Sequence, residues 1–167
     1  MKTVEHLANT AVTDIRIRKM TDADIPACMA ILEAWNMAPR PPSTETPEPE
    51  RTGIDVANGF VAHLAGRIVG TCSYIVHSPE LAETASLAVD PSMKGSGVGF
   101  MLQQARLDEM RGRGIRHVRT ETDRPETIGW YVDRFGYRVV GTVPKKHAFS
   151  LRDTDRWTVL ELELAMI

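Results

Sequence analysis

The chain has 167 residues, 43% of them hydrophobic and 25% charged, with 12 glycines and 10 prolines. That size and balance suit one ordinary globular domain and leave little room for two. A formal charge of -2, from 20 basic and 22 acidic side chains, excludes the overall basic surface of a general nucleic-acid binder.

From Ile15, IRIRKM alternates apolar and basic residues, which predicts a first strand. A helix should follow. Thr21, Asp22 and Asp24 offer capping oxygens, Pro26 fits a first turn, and Ile25, Cys28, Met29, Leu32 and Trp35 fall on one stripe. Residues 39–50, PRPPSTETPEPE, have too few apolar groups and backbone donors for regular structure, so a mobile loop bordering a site is expected. Residues 60–76 predict a hairpin, FVAHLA and IVGTCSYIV about a Gly66-Arg67 turn.

Another strand, ETASLAVD, is expected over residues 83–90 and ends at Pro91. KGSGVG then leads into a helix on which Val98, Met101, Leu102 and Ala105 share one face, before Gly112 and Gly114 stop it. Phe100 and Leu107 fall on the opposite side, which implies cover on more than one face. HVRTET, from His117, predicts a further strand. Pro125 opens a short helix with Ile128, Tyr131, Val132 and Phe135 as its apolar face and Gly136 as its cap. YRVVGTV and RWTVLELEL close the chain as two strands. About seven strands and four helices, with no internal repeat, imply an α/β fold in which helices cover a twisted sheet. We expect residues 1–14 to be a flexible leader and residues 15–167 a single domain.

A domain of this length buries roughly 70% of its unfolded surface and needs no staples. Cys28 and Cys72 lie in no CxxC and near no His at zinc-ligand spacing, so reduced, buried thiols in a cytoplasmic protein without a metal are expected. No apolar run approaches the ~18 residues of a membrane span, and MKTVEHLANTAVTD lacks a signal peptide's apolar stretch.

Charge is unevenly spread. Residues 1–93 hold 7 basic and 12 acidic side chains, residues 94–152 hold 12 and 6, and the last fifteen hold 1 and 4. The basic middle is either a solvated arginine-rich helix or the attraction for an anionic ligand. It contains the most informative segment, SLAVDPSMKGSGVGFMLQQA: apolar strand, proline break, glycine turn, helix. Without side chains, Gly95, Gly97 and Gly99 let the backbone bring its N–H groups close to a ligand, and the helix start adds unsatisfied donors and roughly +0.5 of a charge. Phosphate oxygens bind such a place, and Lys94 stands at its mouth. A Walker A loop fails for want of any Gly-Lys-Ser or Gly-Lys-Thr, and a Rossmann fingerprint started at Gly95 meets Phe100 at its last glycine.

KGSGVG after LAVDP resembles the Q/R-x-x-G-x-G/A signature of the GNAT superfamily of acyl-CoA-dependent N-acetyltransferases, with Lys94 for Gln or Arg. RPETIGWYVDRFGY, residues 124–137, resembles the family block N-x-x-A-x-x-x-Y-x-x-x-G-F, with Tyr131 and Gly136 as its tyrosine and glycine. Arg124 replaces the usual Asn and Thr127 the usual Ala, so Arg124 is a candidate for a phosphate contact instead. Lysine at position 94 keeps the charge of arginine and loses its planar fork.

The resemblance implies a mixed, mostly antiparallel sheet and acetyl-CoA as cosubstrate. Backbone groups of Leu87, Ala88 and Val89 would line the pantetheine arm, an amide near Val89 polarising the carbonyl, while Lys94, Gly95, Ser96, Gly97, Val98 and Gly99 hold the pyrophosphate. Tyr131, a phenol with an ordinary pKa of about 10, is the candidate general acid for the thiolate, against a packed core tyrosine as the alternative. Glu83 is the candidate base, with Glu80, His77 or a water chain as rivals. His63 and His147 read as structural. The acidic first segment predicts a cationic or amine-bearing acceptor, small molecule or peptide, whereas Lys145, Lys146 and His147 would suit an acceptor carboxylate or phosphate. No nucleic acid or membrane is expected as partner, and the resemblance permits a homodimer. The competing readings are a non-catalytic acyl-CoA-binding module and a nucleotide-binding domain of another class.

Overall fold

The computed structural model describes residues 14–39, 54–145 and 150–165. All but the last residue of the expected leader, most of the proline-rich loop, Lys146 and His147 lie outside the described residues. In chain order the elements are β1 (Arg16–Lys19), α1 (Ile25–Ala34), β2 (Gly59–Leu64), β3 (Arg67–Val76), β4 (Leu81–Val89), α2 (Val98–Gly112), β5 (His117–Thr122), α3 (Pro125–Phe135), β6 (Arg138–Pro144) and β7 (Arg156–Glu163).

The strands form one seven-stranded sheet in the order β1-β2-β3-β4-β5-β7-β6. Every neighbouring pair is antiparallel except β4 and β5, whose parallel connection runs through α2. Three α-helices are present among the described residues, one fewer than expected; 3-10 turns at Asp22–Asp24, Val56–Asn58 and Pro91–Met93 are too short to count with them. None of the described helices is long and apolar enough to cross a membrane.

Side-chain alternation in the strands builds a core on each face of the sheet. Phe60 and Ala62 of β2 join Val98, Leu102 and Met110 of α2, Tyr131 of α3 and Leu160 of β7 in the larger cluster. Val61 between them faces Cys28 of α1, beside a second cluster of Ile31, Leu32, Ala38 and Ala88. Helix α2 lies close on β3: a Cβ at Gly70 would come within 2.7 Å of Val98 Cγ1 and 2.9 Å of Leu102 Cδ1. The expectation that α2 is covered on more than one face holds, since Leu107, Gln103 and Arg106 are buried beside Val98 and Leu102. Phe100 stays half-exposed, stacked on Phe135 at 5.1 Å.

The β2–β3 turn is centred on Ala65 and Gly66, one residue earlier than the sequence suggests, because Arg67 already pairs with Leu64. Both turn residues have positive φ, 50° and 77°, the geometry that matches the twist of a two-residue hairpin. Strand β4 starts at Leu81, two residues before the expected Glu83, since Leu81 and Ala82 already pair with His117 and Val118.

At the start of α1, the buried Asp24 carboxylate accepts two bonds from Arg18, at 2.7 and 2.8 Å, and one each from the Thr21 amide and hydroxyl. The Arg18 bonds, followed by those from Thr21, outweigh burial and hold the carboxyl well below the usual carboxylate range. A carboxyl whose folded pKa is depressed contributes stability above its unfolded value, near 4, and loses it as pH falls further. Asp24→Asn should therefore cost about 1 kcal/mol at pH 7, with the difference from the parent shrinking between about pH 4 and pH 2. Denaturant melts of both proteins across that range check this; a difference that stays constant contradicts it.

Candidate active site

Strands β4 and β5 pair only where Leu81, Ala82 and Glu83 meet His117, Val118 and Arg119, although β4 continues to Val89 and β5 to Thr122. The cause lies in β4. Against β3, Thr71 faces Ala88 and Ser73 faces Ala85, so Cys72 alone spans both Ser86 and Leu87. This is a bulge with one extra residue, and Ser86 adopts a φ of 56° to make it. A bulged strand bends, and the parted ends of β4 and β5 enclose a cleft of about 1100 Å³.

The chain leaves β4 through a capped turn. Asp90 accepts bonds from the Ser92 amide (2.9 Å) and hydroxyl (2.7 Å), with Arg67 at 3.4 Å, which holds its carboxyl below the ordinary range. Gly95 and Gly97 then take φ values of 79° and 89°, and Gly97 is the N-cap of α2. Side chains rarely adopt that conformation. The first amides of α2 have no carbonyl of their own helix to bond, and Lys94, whose amide donates to Pro91 O at 3.3 Å, has an exposed side chain with no partner among the described residues.

The cleft gathers nearly all the residues singled out from the sequence: Glu83, Leu87, Ala88, Val89, Lys94, Gly95, Gly97, Val98, Gly99, Arg124 and Tyr131. Ser96 does not line it; its amide donates to Met93 O at 3.1 Å and its hydroxyl is buried without a partner. Tyr131 stands seven residues after the N-cap Arg124, as the family block requires, but four residues separate it from Gly136 where the block has three. The last turn of α3 absorbs the extra residue: Gly136 N donates to Val132 O and Tyr137 N to Tyr131 O, with Gly136 at a φ of 75°.

Arg124, which lines the cleft, already has partners. Its guanidinium lies 5.1 Å over the Trp35 ring and its Nε donates to Ser150 Oγ at 3.1 Å. Trp35 in turn donates to Val89 O at 2.7 Å, joining α1 to the end of β4. Asn36 and Ser150 exchange bonds as well, so the connection after α1 meets the connection between β6 and β7 above the cleft.

Among the candidates for a base, Glu83 lines the cleft and its carboxylate lies 2.8 Å from His77 Nε2, whereas Glu80 does not line it and sits by Arg116. Arg119, Glu121 and Asp123 follow at every second residue and share the face of Glu83, the partner of Arg119. Lys145 is less available to a ligand than its sequence neighbourhood suggests. It is buried against Asp123 at 2.6 Å, donates to Leu151 O and lies over the Trp157 ring.

Sequence reasoning missed Arg106 of α2. Completely buried, it donates from Nε to Gln103 Oε1 (2.6 Å), from Nη1 to Ser73 O (3.1 Å) and Ala85 O (3.2 Å), and from Nη2 to the Tyr131 hydroxyl (3.0 Å). Gln103 donates onward to Tyr137 Oη at 2.9 Å, and burial pushes that phenol's pKa upward. The available signal was spacing: Phe100, Gln103 and Leu107 recur at helical intervals opposite the apolar stripe, with Arg106 beside them.

Residues 26–137 match the Acetyltransferase (GNAT) family, and the chain belongs to it. It is 31% identical over 102 residues to a mycothiol acetyltransferase from Thermomonospora curvata, a match covering 56% of this chain and 34% of that protein. The chain thus spans about a third of the length of that curated relative. Its fold is similar to Ard1 from Thermoplasma volcanium, with a TM-score of 0.70 at 22% identity over 91% of this chain and 99% of the other. It is also similar to N-acetylglutamate synthase from Neisseria gonorrhoeae complexed with coenzyme A and L-arginine, with a TM-score of 0.67 at 20% identity over 90% of this chain and 33% of the other.

A serine at a φ of 56° is under local strain of about 1–2 kcal/mol that glycine does not feel and a β-branched residue feels more. Ser86→Gly should leave the melting temperature unchanged or raise it, and Ser86→Val should cost about 1–2 kcal/mol in a thermal melt. Equal destabilisation by both would argue that no bulge exists at Ser86.

Proposed function

We propose that the protein is an acetyl-CoA-dependent N-acetyltransferase that moves the acetyl group to a primary amine by direct transfer within a ternary complex. The observation that carries this reading is the parting of β4 from β5 at Ser86, in a cleft that runs past the main chain of Leu87, Ala88 and Val89 to the glycine turn and the start of α2. An extended thioester carrier with a diphosphate tail suits that path. The tail would meet backbone donors at Gly95, Gly97, Val98 and Gly99, with Ser96 shaping the turn and Lys94 adding charge.

In the mechanism we infer, Glu83 or a water beside it accepts the proton of the acceptor ammonium, and the amine lone pair attacks the thioester carbonyl. A main-chain amide near Val89 stabilises the negative oxygen of the tetrahedral intermediate. As that intermediate collapses, the carbon–sulfur bond breaks, its electron pair stays on sulfur, Tyr131 Oη gives sulfur a proton, and the nitrogen loses its surplus proton to water to leave the neutral amide. Direct transfer is supported by the state of the only two cysteines, both buried. Burial pushes Cys72 up to about 11 and raises Cys28 too, so neither is poised to carry an acyl group. Their free thiols also suit the cytoplasmic location we infer.

We assign the acceptor to the side of the cleft bordered by Glu83, Glu121 and Trp35, and infer that it is a cationic or amine-bearing small molecule or peptide. We take residues 15–167 as one catalytic domain and Arg124, engaged with Trp35 and Ser150, as a residue that borders the acceptor side as well as the coenzyme. A panel of primary amines, followed by release of free thiol from acetyl-CoA, tests reaction class and acceptor together. Tyr131→Phe should lower turnover about 10²-fold while leaving coenzyme A binding, measured by calorimetry, nearly unchanged. Undiminished turnover would remove Tyr131 from the mechanism and favour a role in packing.

A further inference from the structure

We propose that Arg106 is a positioning residue for acyl transfer: its guanidinium makes the Tyr131 oxygen a hydrogen-bond acceptor and thereby turns the phenol's proton toward the cleft. This rests on the reading of Tyr131 as the general acid. A charge buried without a counter-charge is costly, and a leucine or methionine would fill the same place on α2 without that cost. Arg106 is fully buried and has no carboxylate partner among the described residues.

A guanidinium has five N–H donors and no acceptor. At the 3.0 Å contact the Tyr131 oxygen therefore accepts, and its own hydrogen must point elsewhere. Tyr131 and Arg106 both line the cleft between β4 and β5, so the proton is directed into the space where the sulfur would leave. The ring itself is held by edge contacts with Trp130 at 5.1 Å and Tyr137 at 4.9 Å. Gln103 completes the orientation: its Oε1 takes the Arg106 Nε–H and its amide donates to Tyr137, which fixes the guanidinium plane.

The contact also favours the product of proton transfer. When the carbon–sulfur bond breaks and the Tyr131 proton moves to sulfur, a phenolate is left beside the guanidinium, so a neutral acceptor becomes a charged one. In a buried setting that gain is larger than in water. Solvent returns the proton to Tyr131 once the products depart. The same planar group binds Ser73 O and Ala85 O, which face each other across β3 and β4 at the pair next to the bulge, and this couples the position of the acid to the strand that would carry the thioester. A lysine, with a point charge on a flexible stem, would satisfy one of these places at a time.

The test is a double-mutant cycle on the full chain with acetyl-CoA and a primary amine from the panel. Arg106→Lys should lower kcat about tenfold, leave the coenzyme A dissociation constant within about twofold, and change kcat by less than about twofold when Tyr131 is already Phe. Should the lysine variant fold poorly by thermal melt, Arg106→Met repeats the cycle with similar side-chain bulk and an expected loss nearer 10²-fold. The same loss in both backgrounds, wild-type kcat in the variant, or weakened coenzyme A binding at unchanged kcat would each overturn the inference while leaving Tyr131 as the acid. Full turnover by Tyr131→Phe alone would instead defeat the acid reading and this inference with it.

Discussion

One extra residue in β4 decides what this molecule can hold. With Ser86 inserted opposite Cys72, β4 bends away from β5 after only three paired residues, and the sheet opens where an unbroken parallel pair would have closed it. The bulge leaves strand carbonyls in need of donors, and a buried arginine supplies them: Arg106 bonds Ser73 O and Ala85 O together. The opening thus has a frame of its own. Trp35 braces its far end through Val89 O, and the capped turn at Asp90 sends the chain directly into the glycine bend.

The two mouths of the cleft differ in chemistry. At one, the glycine turn, the positive end of α2 and the exposed Lys94 come together, with the Asp90 carboxylate tied to Ser92, which suits an anion. At the other, Glu83, Glu121, Arg124 and two tryptophans alternate charge with flat apolar surface. That uneven distribution matches the basic excess of residues 94–152 against the acidic excess before them. The match is incomplete, since Arg124 and Lys145, both from the basic segment, are spent on Trp35, Ser150, Asp123 and Trp157.

Elements with a local signature were legible in the sequence. The strand at His117, the helix that Pro125 begins and Gly136 ends, and the helix entered from Gly97 all carry their boundaries in proline, glycine and alternation. The glycine turn was legible for the same reason, because a positive φ selects glycine at 95 and 97. What escaped depends on distant partners. Nothing in SLAV marks Ser86 as a bulge, since its cause is register against β3. Arg106 reads as one more surface arginine until Tyr131, 25 positions later, comes to rest beside it. Lys145 likewise looks free in sequence and is buried against Asp123, 22 positions away.

Where coenzyme A binds is decisive, and amide NMR reads that directly. In a titration of the labelled protein with coenzyme A, the amide resonances of Gly95, Gly97, Val98 and Gly99 should shift most, with Leu87, Ala88 and Val89 following at the same saturation. Saturable shifts confined to other elements, or none at all, would contradict it.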